Sequence, residues 1–366
     1  MLAFELALAE VQEDHGVLPA GVAGRMKKQL QCAAFDGPAI ARETLNGGNA
    51  AIPFVKQARS MLPEALRPYW HQGATSQDVM DSTLMLLMGP RVTAIEALLQ
   101  RCRAAAVALM EEHADTPMVG RTLMQQALPI TFGVKVAHWA VGLEQGRRRL
   151  SDVALPVQFG GAVGVHSGWG EQGLEFMDAM AGRLGLAAPV MPWHTDRYPI
   201  HALGTALDAV AGAAEKIALD VSLLTQTEVG ELAEPSAPGM GESSSMPHKR
   251  NPVRSALIRG AARQVHGHAG VLMNASAQPL ERGLGEWHSE WSPLVESALL
   301  VEGMLEQVAV LLEGVDVYPE AMRHNLAATG GGIMAERATR LLAPLLGPEV
   351  ARSVSAEAAE TARLES

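Results

Sequence analysis

The sequence predicts an all-α protein built as a bundle of long helices, and three observations predict it. Aromatic residues make up only 4% of the 366-residue chain while Ala, Leu, Val and Met dominate, a palette that suits helix packing better than sheets. Two stretches repeat apolar residues at alternating three- and four-residue steps. The first is Leu207, Val210, Ala214, Ile217, Val221 and Leu224; the second is Trp291, Leu294, Ala298, Val301, Leu305, Val308 and Leu312. Each is one seam over about three heptads, on a helix of roughly 30–40 Å, so it must meet other long helices within or between subunits. Third, the segments between the helical stretches are rich in Gly and Pro, at 114–130, 155–170, 185–203 and 233–252.

In chain order, 1–75 reads as a small helical N-terminal part. The central bundle spans 76–317, with helices at about 80–112, 131–154 and 252–277 beside the two seams. In the stretch at 131–154, Val136, Trp139, Ala140 and Leu143 fall on one face. Residues 318–366 read as a short C-terminal helical part. No repeat at a solenoid period and no low-complexity tract is present.

Composition narrows the function. Hydrophobic residues reach 48%, enough for a sizeable core, and charged residues are held to 19%, which suggests surface hidden in subunit contacts. The net charge of −11 argues against a general binder of nucleic acid or anionic membranes. No uncharged apolar run is long enough to span a bilayer, so no membrane partner is expected. Cys32 and Cys102 lie in neither CxxC nor metal-ligand spacing, which fits a reduced compartment. The N-terminus MLAFELALAEVQEDHG carries acids and no basic region, so it does not read as a secretory signal, and a cytoplasmic protein is expected. The histidines lack HExxH or paired-carboxylate spacing, so no metal is expected. Phe159-Gly160-Gly161-Ala162-Val163-Gly164 lacks the lysine and preceding strand of a phosphate loop and reads as a tight turn.

Chemistry concentrates in three stretches. Gly241-Glu242-Ser243-Ser244-Ser245-Met246-Pro247-His248-Lys249-Arg250-Asn251-Pro252 packs hydroxyls, cations and an amide just before a helix. Asn251 suits an N-cap and Pro252 a first helical position, so helix amides and Lys249 are expected to face an anion. A serine hydroxyl in such cationic surroundings can give or take a proton, although the same residues also suit a solvated serine-rich loop. The second stretch is His71-Gln72-Gly73-Ala74-Thr75-Ser76-Gln77-Asp78, again before a helix, suited to holding a carboxylate or to a plain capping box. The third is Gly120-Arg121-Thr122-Leu123-Met124-Gln125-Gln126.

The first run closely resembles the loop G-S-S-x-M-P-x-K-x-N-P of the fumarase/aspartase superfamily, with Glu242 in place of the family glycine. The second, G-A-T-S-Q-D, is most similar to the 3-carboxy-cis,cis-muconate cycloisomerase branch, with adenylosuccinate lyases next. The third is similar to the second signature region. There many superfamily lyases carry histidine at the position of Leu123, and the cycloisomerases carry tryptophan, with a following histidine where this chain has Gln126. The resemblance runs from about residue 3 to 340. It implies a long-helix bundle of the fumarase/aspartase type, assembling into a homotetramer with active sites shared between subunits. It also implies residues ahead of the point matching Met1 and a longer C-terminal part in the family, so 1–75 is expected to be truncated relative to relatives.

The resemblance assigns Ser243 as general acid/base, with Lys249 and Asn251 beside it. It implies substrate contacts from His71, Thr75, Ser76 and Gln77, from Thr122 and Gln125, and from Arg282. The implied reaction is lactonization of 3-carboxymuconate in aromatic-compound degradation, with a small polycarboxylate as substrate. No cofactor is implied, because the substrate carboxylate is itself the electron sink. The alternatives are an adenylosuccinate lyase-like β-elimination, which Leu123 disfavours, and an inactive homologue.

Overall fold

The apolar seams become long helices. The computed structural model describes residues 1–235, 241, 246 and 249–365. Four short helices come first: α1 (Leu2–Asp14), α2 (Val22–Leu30), α3 (Gly37–Gly47) and α4 (Ala51–Met61). Asp36 caps α3 by accepting from the Ala39 amide at 2.9 Å, and Gly48 ends it in the left-handed region. Then follow α5 (Ser76–Glu112), strands β1 (Pro117–Thr122) and β2 (Gln125–Thr131), α6 (Phe132–Ser151), α7 (Gly173–Leu184) and α8 (Tyr198–Leu224). Strand β3 (Leu232–Ala233), α9 (Val253–Asn274), α10 (Glu286–Ser289), α11 (Trp291–Gly314) and strand β4 (Asp316–Val317) come next. The C-terminal part holds α12 (Pro319–Ala327), α13 (Ala335–Leu346) and α14 (Pro348–Glu365).

Every seam residue of α8 from Leu207 to Leu224 is buried, and so is every one of α11 from Leu294 to Leu312. α8 starts inside the break expected over 185–203, because Pro199 sits in its first turn, where a missing N–H leaves no bond unmade. The break expected over 114–130 is instead largely an antiparallel hairpin of β1 and β2, with a register shift between Val119 and Arg121. β3 and β4 add a second small antiparallel pair.

The chain divides into two compact units. The first comprises Met1–Ala94, Arg149–Asp208 and Val265–Leu299. One of its cores gathers Phe4, Leu8 and Val11 of α1 with Phe176, Met177 and Met180 of α7, and with Val79, Val157 and Phe159. A second gathers Val22, Met26 and Leu30 of α2 with Phe54, Ala58, Leu62 and Trp70. The other unit comprises Ile95–Arg148, Ala209–Gln264 and Leu300–Ser366. There Trp139 of α6 is buried, donates its indole N–H to Asp220 of α8 at 2.8 Å, and meets Phe132 edge-on. Gly146 lets α6 approach α8, since a Cβ there would stand 3.2 Å from Val210.

α5 contains an 18-residue window of mean hydropathy 1.3, long and apolar enough by composition to cross a membrane, which the count of uncharged runs alone did not reveal. Of that window 33% is buried, and Val79, Met85, Ile95, Leu99, Cys102 and Ala106 along α5 lie in the core.

Candidate active site

In the first unit the start of α5 is built around Asp78. Its buried carboxylate accepts from the Thr75 amide at 3.0 Å and from the Gly160 and Gly161 amides at 2.9 Å each. His194 adds a contact from Nε2 at 3.1 Å. The glycine-rich segment thus folds over the helix start as a tight turn. A Cβ on Gly160 would come within 2.7 Å of Pro192, and Gly161 is left-handed at φ +73°. Gly73 is equally constrained: its φ is +72°, a Cβ would lie 2.2 Å from Trp169, and the Trp169 indole donates to the Gly73 carbonyl.

Arg282 reaches this turn. Its Nη2 donates to Thr75 Oγ1 at 2.9 Å and to the Ala162 carbonyl at 3.1 Å, while its buried Nε has no partner. Thr75, the half-buried Ser76 and Arg282 therefore form one cationic, hydroxyl-bearing patch at a helix N-terminus, the chemistry that holds a carboxylate. Gln77 is placed differently. It is 0% exposed, and its amide donates to Asp81 at 3.2 Å and to the His194 carbonyl at 2.8 Å, so that its donor serves the fold. His71 pairs through Nδ1 with buried Glu5 at 2.6 Å. Burial pushes its imidazolium down, but the Glu5 hydrogen bond and charge, with Asp78 near, outweigh that and hold the group above its ordinary value.

Beneath the patch lies a buried ion cluster that sequence reasoning missed. Arg197 makes a fork with Asp81 at 2.7 and 3.1 Å and another with Glu290, its shortest contact 2.7 Å. Trp287 donates to Asp81 and Gln278 to Glu290, so both acids have neutral donors as well. Burial works against the Arg197 charge, yet Asp81 and Glu290 hold its pKa above the ordinary value. Burial raises the Glu290 carboxyl despite Arg197.

In the second unit the long loop leads into α9. Ser243 lies outside the described residues. Lys249 is exposed, and Asn251 donates its backbone and side-chain N–H to the Gly241 carbonyl at 2.9 and 3.3 Å. The expected cap is corrected. α9 begins at Val253, the Pro252 carbonyl accepts its first intrahelical bond, and Asn251 sits one position too early. Glu234 does the capping, accepting from the Arg254 and Ser255 amides at 2.9 and 2.7 Å. Those helix amides are spent on a protein carboxylate, so the cationic field of the loop rests on Lys249 and Arg250 instead. A cavity of 270 Å³ beside the loop is lined by Thr225, Thr227, Glu234, Arg250, Asn251 and Tyr318, among others.

Thr122 and Gln125 face each other at the tip of the β1–β2 hairpin, both exposed, with Leu123 and Met124 forming the turn. Lys135, at the start of α6, is pushed below its ordinary pKa by burial first, with Lys216 and Arg121 adding to it. Thus Thr75, Ser76, Gln77, His71 and Arg282 gather at one helix start, while Lys249 and Asn251 belong to the loop before α9 and Thr122 and Gln125 to the hairpin. Among the described residues, no group of three or more His, Cys, Asp and Glu side chains is placed to hold a metal.

Comparison with known proteins adds the family. The chain matches the family described as Lyase over residues 44–267. It is 43% identical over 358 residues to the 3-carboxy-cis,cis-muconate cycloisomerase of Pseudomonas aeruginosa, covering 96% of this chain and 78% of that protein. It is 40% identical over 375 residues to the nitrosuccinate lyase of Streptomyces davaonensis, covering 99% and 79%. The crystal structure of 3-carboxy-cis,cis-muconate lactonizing enzyme from Pseudomonas putida superposes with a TM-score of 0.93 at 39% identity, covering 100% of this chain and 83% of that one.

Proposed function

We propose that this chain, which belongs to the fumarase/aspartase superfamily of lyases and to its 3-carboxy-cis,cis-muconate cycloisomerase branch, lactonizes 3-carboxy-cis,cis-muconate. The observation that carries the reading is the 43% identity to a cycloisomerase across 96% of the chain, beside a loop in which Ser243, Lys249 and Asn251 stand at the positions of the superfamily motif they resemble.

In the reaction, one substrate carboxylate oxygen bonds to an alkene carbon and closes a five-membered ring. The π electrons move toward a second carboxylate, which becomes an enediolate. The adjacent carbon then takes a proton, so one proton is consumed and every heavy atom is kept. A site for this step must bind the developing dianion more tightly than the substrate. Lys249 and Asn251 supply charge and a donor there, Ser243 delivers the proton, and Thr75, Ser76 and Arg282 hold a spectator carboxylate. Thr122 and Gln125 add neutral donors from the hairpin, and His71 lines the site. Gln77 acts from beneath, by fixing the start of α5. We place these elements in a homotetramer whose sites draw on more than one subunit, in the cytoplasm and without a cofactor.

A second reading is a β-elimination lyase acting on a substituted succinate, favoured by the 40% identity to a nitrosuccinate lyase. It shares the enediolate but breaks a bond where lactonization makes one. Leu123 offers no proton at the hairpin tip, which weighs toward the first reading. Incubating the purified protein with 3-carboxymuconate and with nitrosuccinate, and identifying products by NMR, separates them. A lactone from the first substrate supports the cycloisomerase, and fumarate from the second alone replaces it with the lyase.

A further inference from the structure

The β1–β2 hairpin carries a turn that its own residues disfavour. Leu123 and Met124 both have positive φ, at 49° and 65°. That conformation is strained for a residue bearing a Cβ. Leu123 is 96% exposed and Met124 67%, so their own burial does not offset the cost.

The compensation lies just below the turn, at the paired Arg121 and Gln126. The register shift between Val119 and Arg121 marks a bulge, the device that re-aims a strand side chain. Arg121 there forks onto Glu231, Nη1 to Oε2 at 3.0 Å and Nη2 to Oε1 at 2.6 Å. Glu231 is 0% exposed and also accepts from Asn325 Nδ2 at 2.8 Å. Asn325 in turn donates to the Val229 carbonyl and accepts, through its own carbonyl, from Gln126 Nε2 at 3.2 Å. Both strands are thereby tied to one residue of α12, Arg121 on β1 through Glu231 and Gln126 on β2 directly.

We propose that Arg121, Glu231 and Asn325 form a mooring that presets the hairpin, making Arg121 a positioning residue for Thr122 and Gln125 rather than a substrate ligand. The proposal rests on the reading above that those two residues touch substrate. Its electrostatics are direct. A substrate carboxylate that took Arg121 from Glu231 would leave a fully buried acid without its cation, a state that burial strongly disfavours. The fork therefore stays closed while the tip works.

Two readouts of Glu231→Gln test this, with Asn325→Ala as the milder variant should the first not fold. One is hydrogen exchange of amides 117–131 without substrate, and the other is steady-state turnover of 3-carboxymuconate. The mooring predicts exchange faster by about tenfold in the hairpin with α8 unchanged, and KM raised about tenfold with kcat within about threefold of wild type. Arg121→Lys, which keeps a cation for Glu231, should recover part of the loss shown by Arg121→Met. Unchanged exchange overturns the mooring, and faster exchange with unchanged KM overturns the positioning role. A wild-type protein inert toward 3-carboxymuconate defeats the proposed function, while the exchange result still decides the mooring.

Discussion

Thr75, Arg282 and Asp78 show what single residues can and cannot reveal. Thr75 and Arg282 are 207 positions apart, are both substrate contacts that the resemblance implies, and meet at 2.9 Å. The capping-box pattern Thr75-Ser76-Gln77-Asp78 marks an acid folding back on its own helix start, as Asp78 does, but not its bonds to the Gly160 and Gly161 amides 82 and 83 positions away. Arg197, Asp81 and Glu290 left no local signal, because a buried ion pair is defined by its partner and these partners are 116 and 93 residues away. Replacing Arg197 by Met leaves two buried acids without a cation, so unfolding free energy should fall by about 3–5 kcal/mol in denaturant titrations. His71 gives a pH signature. Its folded-state pKa is raised, so the Glu5 pair stabilises fully below the ordinary value of 6.5 and is lost as pH rises through the folded value. The stability gap between wild type and His71→Asn should therefore be larger at roughly pH 6 than at roughly pH 9 by chemical denaturation.

At the scale of elements, the three- and four-residue apolar spacing placed α8 and α11 because a buried helix stripe must repeat that way, and the seams are indeed in the core. The hairpin escaped the same reading. A two-residue turn with both φ positive is ordinarily announced by Asn-Gly, and here Leu123-Met124 fills it, held from below by residues remote in sequence. The start of α9 was misplaced by one residue for a related reason. Local chemistry favoured Asn251 as the cap, whereas Glu234, about 20 residues upstream, reaches the amides instead. Glu234→Ala should cost about 0.5–2 kcal/mol of stability. It should also loosen the approach to Asn251, visible as faster amide exchange at 253–256 than at the middle of α9.

At the scale of the whole molecule, the seams of α8 and α11 are already covered within one chain. The proposed assembly would then use other faces, and exposed apolar side chains such as Leu257 and Met273 on α9 and Leu299 on α11 are among those it could cover. The tetramer proposed from the family predicts a solution mass four times that of the chain by light scattering, and a monomeric mass with full activity would remove the need for shared sites. The central claim is proton delivery by Ser243 during ring closure. Its most direct test follows the ultraviolet absorbance of 3-carboxymuconate on adding wild-type protein or Ser243→Ala. Wild type should bleach the conjugated diene, and the variant, folded by circular dichroism, should be slower by about 10²–10⁴-fold. A variant that bleaches at the wild-type rate would contradict it.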